Sequence, residues 1–579
     1  MILQALVEYY QRLVREDSTG IAGEGFEQKE IPFLIVLDQR GQFISLQDTR
    51  EGEGKKKRGR IFTVPKSVKR ASNSVANLLW DNPSYVLGYP EETSKKRHEL
   101  FKAAIINRFP PIRQDEGITA VLNFLQNNNF QPIYSHPYWA EISERGLNLA
   151  FKLNTDNGLV CQRSIVIDAI IRSSQIRANE QPCLITGEPD TPAILHTAIK
   201  GVRNANPTGA NIVSFQKNSG FDSYGKEQGA NAPIGKKAEF AYTTALNHLL
   251  LRDSTQKFQI GDATTVFWAE KKNQMENVFQ DLFGYQPANQ ENEQDYRQLL
   301  ALFRSPETGV EQANLDPSTK FYVLGLSPNA ARIAVRFWYA GTVGSVADNI
   351  YKHFEDLNMV KSKNEWRRVD LRSLLKSTAL REKDENINPN LAGNTMKSIL
   401  TGTPYPQTLL SSTIRRCRAE RDINYSRAAL IKAIFVRDTR YHNKNAQEVS
   451  MSLDITNTNP GYLLGRLFAV LEKTQERANP GLNATIRDRF YGAASSTPIT
   501  AFPYLMKLKN FHLAKLENKG EVINIEKQIG EIFSKLGAAS AFPTHMSLQD
   551  QGRFAVGYYH QRQDFFTKKE NLNNKEGKE

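Results

Sequence analysis

The chain has 579 residues, of which 40% are hydrophobic and 24% charged, a composition that excludes wholesale disorder. Lysine and arginine number 75 against 62 carboxylates, a net charge of +13 that favours phosphate-bearing partners through counterion release. The three cysteines, Cys161, Cys183 and Cys417, lie too far apart in sequence for a disulfide framework or a zinc spacing. That suits a reducing cytoplasm. The first residues lack a signal-peptide layout, and no apolar run approaches the roughly 18 residues a bilayer crossing needs. A soluble, cytoplasmic protein with no membrane partner is expected.

In chain order, Met1 to Arg12 reads as an amphipathic helix. Ile31–Asp38 and Gln42–Leu46 are strand-forming runs around the turn Gln39–Arg40–Gly41, which predicts a hairpin. Arg50 to Arg60 is charged and glycine-studded, as in a mobile loop, and Ile61–Val64 resumes as a strand ended by Pro65. Tyr85–Leu87, Ile165–Ile171 and Asn211–Phe215 are further strand candidates, and Asn289–Gln294 reads as a surface loop. Phe321–Leu326 and Arg332–Trp338 flank the turn residues Ser327–Pro328–Asn329.

From about Met396 the pattern turns helical. Leu464, Leu467, Phe468 and Leu471 share one face, as do Ile525, Ile529, Ile532, Phe533 and Leu536. Breaks at Thr497–Pro498, Phe502–Pro503 and Phe542–Pro543 divide Met451–Glu579 into about four helices. The expected fold is α+β: an N-terminal mixed α/β region with a largely antiparallel sheet over 1–445, then an all-α helical bundle over 451–579. A further boundary is expected near 270–320.

The signatures of catalysis are sparse. None of the nine histidines forms an HD pair, HxH or HExxH, and no GxSxG occurs. Glu27–Gln28–Lys29 and Glu517–Asn518–Lys519 have the ExK spacing of some metal nucleases, a triplet that chance readily supplies in so charged a chain. Gly220 to Lys226 matches GxxxxGK, but Glu227 stands where a phosphate-binding loop needs a hydroxyl, and Gly229 and Pro233 interrupt any following helix.

Three stretches suit a polynucleotide. In the first, Lys66, Lys69 and Arg70 can hold phosphates while Ser72, Asn73 and Asn77 can reach base edges. Ser72 or Asn73 would serve equally as the cap of a helix over Val75–Trp80. The second runs from Lys200 to Asn231, with Arg203, Asn206, Lys226 and Asn231 among glycines, and Phe215, Phe221 and Tyr224 available for stacking. The third is a helical stripe of Arg415, Arg418 and Arg421, extended towards Arg427, Lys432 and Arg437. Arg487, Arg489, Lys507 and Lys509 form smaller basic pairs.

Several motifs run together from end to end: Pro65 to Ser74 with Trp80 to Gly88, Cys183 to Glu188 with His196 to Gly201, and Gly209 to Phe215 with Phe221 to Gly225. Asn231–Ala232–Pro233 and Ala241 to Asn247 follow, then Gly325 to Arg332 with Arg336–Phe337–Trp338, Gly402 to Pro406, and Gly557 to Arg562. In this order they resemble the large subunit of the type I-C CRISPR Cascade. The resemblance implies a non-catalytic subunit that recognises the protospacer-adjacent motif on duplex DNA, promotes R-loop formation and holds the displaced strand. It implies crRNA, a backbone subunit, a crRNA-processing and capping subunit and a recruited helicase–nuclease as partners, with no cofactor or metal. It also implies a small subunit like the terminal bundle, for which Met451 is a candidate internal start. On this reading the first two stretches meet the duplex, and Arg332, Arg336, Arg415, Arg418 and the bundle cations support strands. A metal-dependent nuclease with dispersed carboxylates and a stand-alone RNA-binding protein are the alternatives.

Overall fold

The computed structural model describes residues 1–16, 21–52, 57–68, 75–109, 115–174, 180–218, 220, 223–283, 316–361, 370–443, 449–537 and 542–576. The chain divides into two units, Met1–Ile199 with Asn211–His248, and Lys200–Ala210 with Leu249–Glu579. Neither division point coincides with the boundaries expected near 445–451 and 270–320. Strand Ala263–Ala269 pairs directly with Lys320–Asn329, and helices on both sides of Met451 bury their apolar faces in one core. The Asn289–Gln294 loop lies outside the described residues.

In the first unit, Phe33–Leu37 and Phe43–Asp48 form the predicted antiparallel hairpin. Phe33–Leu37 also pairs in parallel with Leu149–Leu153, which carries Trp80–Asp81 on its other edge. This pair is the parallel exception in a largely antiparallel set. Phe26–Glu30 and Ile61–Pro65 make a separate ribbon. At the stem of the Arg50–Arg60 loop, Glu51 and Arg58 exchange backbone hydrogen bonds of 2.9 and 3.0 Å. The Arg50 guanidinium binds Asp48 at 2.9 Å and Glu141 at 2.6 Å over the Phe33 ring.

The three short strand candidates are corrected. Tyr85 lies in the one-turn helix Pro83–Val86, where Asn82 accepts the Ser84 amide at 3.0 Å and Pro83 fixes the first φ. Ile165–Ile171 lies in helix Ser164–Ser174, because Val166 and Ile170, four apart, are the buried positions. Asn211–Phe215 forms no strand. Val75–Trp80 is likewise not a helix, Trp80 being in a strand.

The second unit begins with an antiparallel sheet of Lys257–Ile260, Ala263–Ala269, Lys320–Asn329 and Arg332–Thr342 in sequential order. Phe267, Phe321, Val323 and Phe337 from its strands join a core that continues through the helices to Tyr559. Among the described residues past Met451 there are five helices, Pro460–Ala478, Ile486–Ser496, Pro498–Ala514, Lys519–Leu536 and Leu548–Glu576. Thr497–Pro498 is the expected break, but Pro503 lies within helix Pro498–Ala514. There its missing amide costs a single early hydrogen bond, too little to end the helix against its buried neighbours Phe502 and Leu505.

The seam between Pro460–Ala478 and Leu548–Glu576 accounts for all of the Gly557–Arg562 motif except Tyr559. Gly557 lets the Tyr462 backbone close in, since a Cβ there would stand 2.2 Å from the Tyr462 carbonyl oxygen. Tyr558 donates to Glu472 at 2.5 Å and Tyr559 to the Val360 carbonyl at 3.1 Å. His560 Nδ1 meets the Tyr462 hydroxyl at 2.9 Å, Gln561 accepts from Arg466 at 3.2 Å, and Arg562 donates to Glu476 at 2.8 Å.

Burial, aided by the nearby Lys432, lowers the pKa of His560 to about 3. Its folded pKa lies below the unfolded value near 6.5, so its neutral form supports the fold above that pH, and support is lost as pH falls towards 3. At pH 5 the cost is roughly 2 kcal/mol by linkage. Urea unfolding at pH 7.5 and pH 5 should show a smaller acid penalty in His560→Gln than in the parent chain. Equal penalties would remove His560 as a cause.

Candidate nucleic-acid interface

A cleft of about 800 Å³ opens in the first unit where strand Ile61–Pro65 ends. Helix Glu91–Arg108 and helix Ser164–Ser174 supply the other walls. Pro65, Leu78, Phe109 and Ile170 give it an apolar lining, and Arg108 and Arg172 its positive charge, while the lining Lys66 is paired with Glu239. No carboxylate is among its described lining residues. Arg108 and Arg172 sit in the last turns of their helices and offset the negative helix ends that would otherwise repel a phosphate. Both are exposed.

The first predicted stretch meets this cleft. Lys66 has its backbone amide on the Gly25 carbonyl at 2.8 Å, and its ammonium lies 3.3 Å from Glu239 and 5.3 Å from the centre of the Phe240 ring. Lys69, Arg70, Ser72 and Asn73 lie outside the described residues, but Val68 and Ala76 on either side of them line the cleft. Asn77 is corrected as a base reader. It is buried, accepting the Val68 amide at 3.1 Å while its own amide donates to Asp81 at 3.0 Å. Arg108 and Arg172 were not singled out by the sequence, since each is an isolated arginine in an ordinary helix.

The second stretch is shared between units: Lys200, Arg203 and Asn206 belong to one, Lys226 and Asn231 to the other. Lys200, Arg203, Asn206 and Lys226 are exposed. Arg203 donates its amide to Thr264 at 3.0 Å, and Asn206 closes a turn by accepting from Thr208 at 3.0 Å. Asn231 braces its own loop, donating to the carbonyls of Lys226 at 3.2 Å and Gln228 at 3.0 Å. Glu227 leads into a short 3-10 turn, and the next long helix starts only at Lys236, so GxxxxGK lacks its strand and its helix.

The third stripe is real at Arg415 and Arg418, exposed on helix Gln407–Glu420. Its extension is corrected, because Arg427, Lys432 and Arg437 are buried. Arg427 donates to the carbonyls of Ser377 at 3.0 Å and Asp422 at 2.8 Å, Lys432 to that of Asp356 at 2.9 Å, and Arg437 to that of Ser398 at 2.8 Å. These cations tie helices together and leave no charge for a strand. Arg336 is bound by Asp262 and Asn390 at 2.8 and 2.9 Å, while Arg332 is exposed. Arg487 is partly buried beside Glu472, and Lys509 lies 3.8 Å from Glu526. Arg489 and Lys507 are exposed.

Of the ExK triplets, Glu27 accepts from Ser67 at 3.1 Å and Lys29 lies over Trp80, while Asn518 caps helix Lys519–Leu536. His353 and His560 are each paired with a buried tyrosine. Among the described residues, no three His, Cys, Asp or Glu side chains gather as a metal site, and no helix is long and apolar enough to cross a membrane.

The family model described as CRISPR-associated protein (Cas_Csd1) matches residues 6–566, nearly the whole chain. The chain belongs to this family. Among curated proteins there is no match. Membership in Cas_Csd1 makes it a component of CRISPR defence that works with other CRISPR-associated proteins. All of the motifs set out above fall within the matched residues.

Proposed function

We propose that this Cas_Csd1 protein is the large, non-catalytic subunit of a type I-C CRISPR interference complex. In that role it reads the protospacer-adjacent motif on duplex DNA, promotes R-loop formation and holds the displaced strand. The observation that carries the reading is the cleft with Lys66, Arg108 and Arg172 on its walls and no carboxylate among its described lining residues. Guide pairing supplies long sequence specificity in such a system, so the protein needs only a short duplex reader and backbone contacts. The crRNA, a backbone subunit, a processing and capping subunit and a small subunit would be its cytoplasmic partners. A separate helicase–nuclease would do the cutting.

Replacing Arg108 and Arg172 together with alanine should weaken binding of labelled target duplex and lower the slope of log affinity against log salt by about 2, one per lost phosphate contact. Assembly with the other subunits should persist, and with magnesium present the duplex should stay intact. Unchanged affinity and slope would remove the cleft from the interface. Cleavage by the purified chain, abolished by one carboxylate substitution, would overturn the non-catalytic assignment.

A further inference from the structure

We propose that Tyr224 is a stacking platform for an unpaired base of single-stranded nucleic acid, with Lys226 beside it for the adjoining phosphate; this rests on the nucleic-acid reading above. Tyr224 is 99% exposed, so its ring contributes nothing to a core. It holds a left-handed backbone conformation, φ 55° and ψ 34°, that side-chain-bearing residues seldom adopt outside tight turns. A Cβ added at Gly220 or Gly225 would meet nothing within 4 Å, so the glycines on either side stand clear of the protein.

The base of the loop is firm. The Asn231 amide bonds to the Lys226 and Gln228 carbonyls fix its descending arm. The Gly229 amide donates to the Ile194 carbonyl at 3.0 Å, and a Cβ at Gly229 would lie 2.2 Å from the Ala193 oxygen. These bonds hold the backbone just past the ring, and the ring itself is open to a flat partner on its faces. Lys226, two residues on from the ring, is exposed, and in sequence residues 217–237 carry Lys217, Lys226, Lys236 and Lys237 against Asp222 and Glu227, with Lys217 paired to Glu227 at 2.9 Å. An aromatic face with adjacent cations is the combination that holds single strands without reading sequence. A base within a duplex offers no free face, which selects an unpaired one.

The test uses the full chain with a labelled mixed-sequence single-stranded oligodeoxynucleotide and an abasic strand of equal length. Tyr224→Ala should weaken binding of the first roughly 5- to 150-fold, with the salt slope unchanged, and leave binding of the abasic strand as in the parent. Tyr224→Phe should bind like the parent, and Lys226→Ala should lower the salt slope by about 1. Because the ring touches no core, thermal unfolding of Tyr224→Ala should match the parent. If the parent binds and Tyr224→Ala binds equally well, the platform is overturned while the broader reading stands. The same holds if the variant instead loses only a protein subunit. A parent chain that binds no nucleic acid at any salt overturns both.

Discussion

Glu472→Ala should lower the unfolding free energy of the second unit by about 3–5 kcal/mol, the usual cost of stranding buried partners of a charge. Glu472 is 1% exposed and accepts hydrogen bonds from Tyr558 at 2.5 Å and Thr485 at 2.6 Å. Arg487 and Arg562 stand 3.7 and 3.5 Å away. One carboxylate thus joins helices Pro460–Ala478, Ile486–Ser496 and Leu548–Glu576. Removing it leaves two hydroxyls and two guanidiniums around an apolar gap. Glu472→Gln keeps the acceptor oxygen and should fall between parent and alanine variant. Urea titration followed by circular dichroism reads the difference; a loss below about 1 kcal/mol, the scale of a surface ion pair, would deny Glu472 this role.

Gly557→Ala should cost about 1–3 kcal/mol or more through overpacking, against a gain of up to about 1 kcal/mol for Gly530→Ala. Both replacements add one methyl to a helix. At Gly557 it would lie 2.2 Å from the Tyr462 oxygen, and backbone has no rotamer by which to yield. At Gly530 nothing stands within 4 Å, so only the helix preference of alanine counts. The facing Gly465 would put its own Cβ 2.1 Å from the Phe554 oxygen, which makes the approach mutual. Opposite signs for the two variants in thermal unfolding would establish the close crossing, and equal effects would refute it.

What could be read from the residues follows from how local each signal is. The hairpin at Phe33–Asp48 and the strand pair after Lys320 were legible because turn residues separate β-branched and aromatic runs. At Ile165–Ile171 continuous apolar residues fit strand and helix alike, and only the burial of Val166 and Ile170 decides between them. Arg427, Lys432 and Arg437 misled for a related reason. Spacing shows that cations recur along a helix, but their carbonyl partners, Ser377, Asp356 and Ser398, are supplied by distant segments. The cleft was half legible: Lys66 stood out in a basic run, whereas Arg108 and Arg172 become neighbours only through folding. The Gly557–Arg562 motif lies within the residues matched by the Cas_Csd1 model, and most of its side chains serve the seam between two helices.

That seam and the helices before it bear on any shorter product beginning at Met451. A Cβ at Gly552 would lie 2.7 Å from the Phe435 ring and 3.1 Å from Ile431, so the last helix rests against side chains that such a polypeptide would not contain. Released alone, it would show water a greasy strip where Phe435 had been, and it would be sticky until some other surface of similar shape took that helix's place.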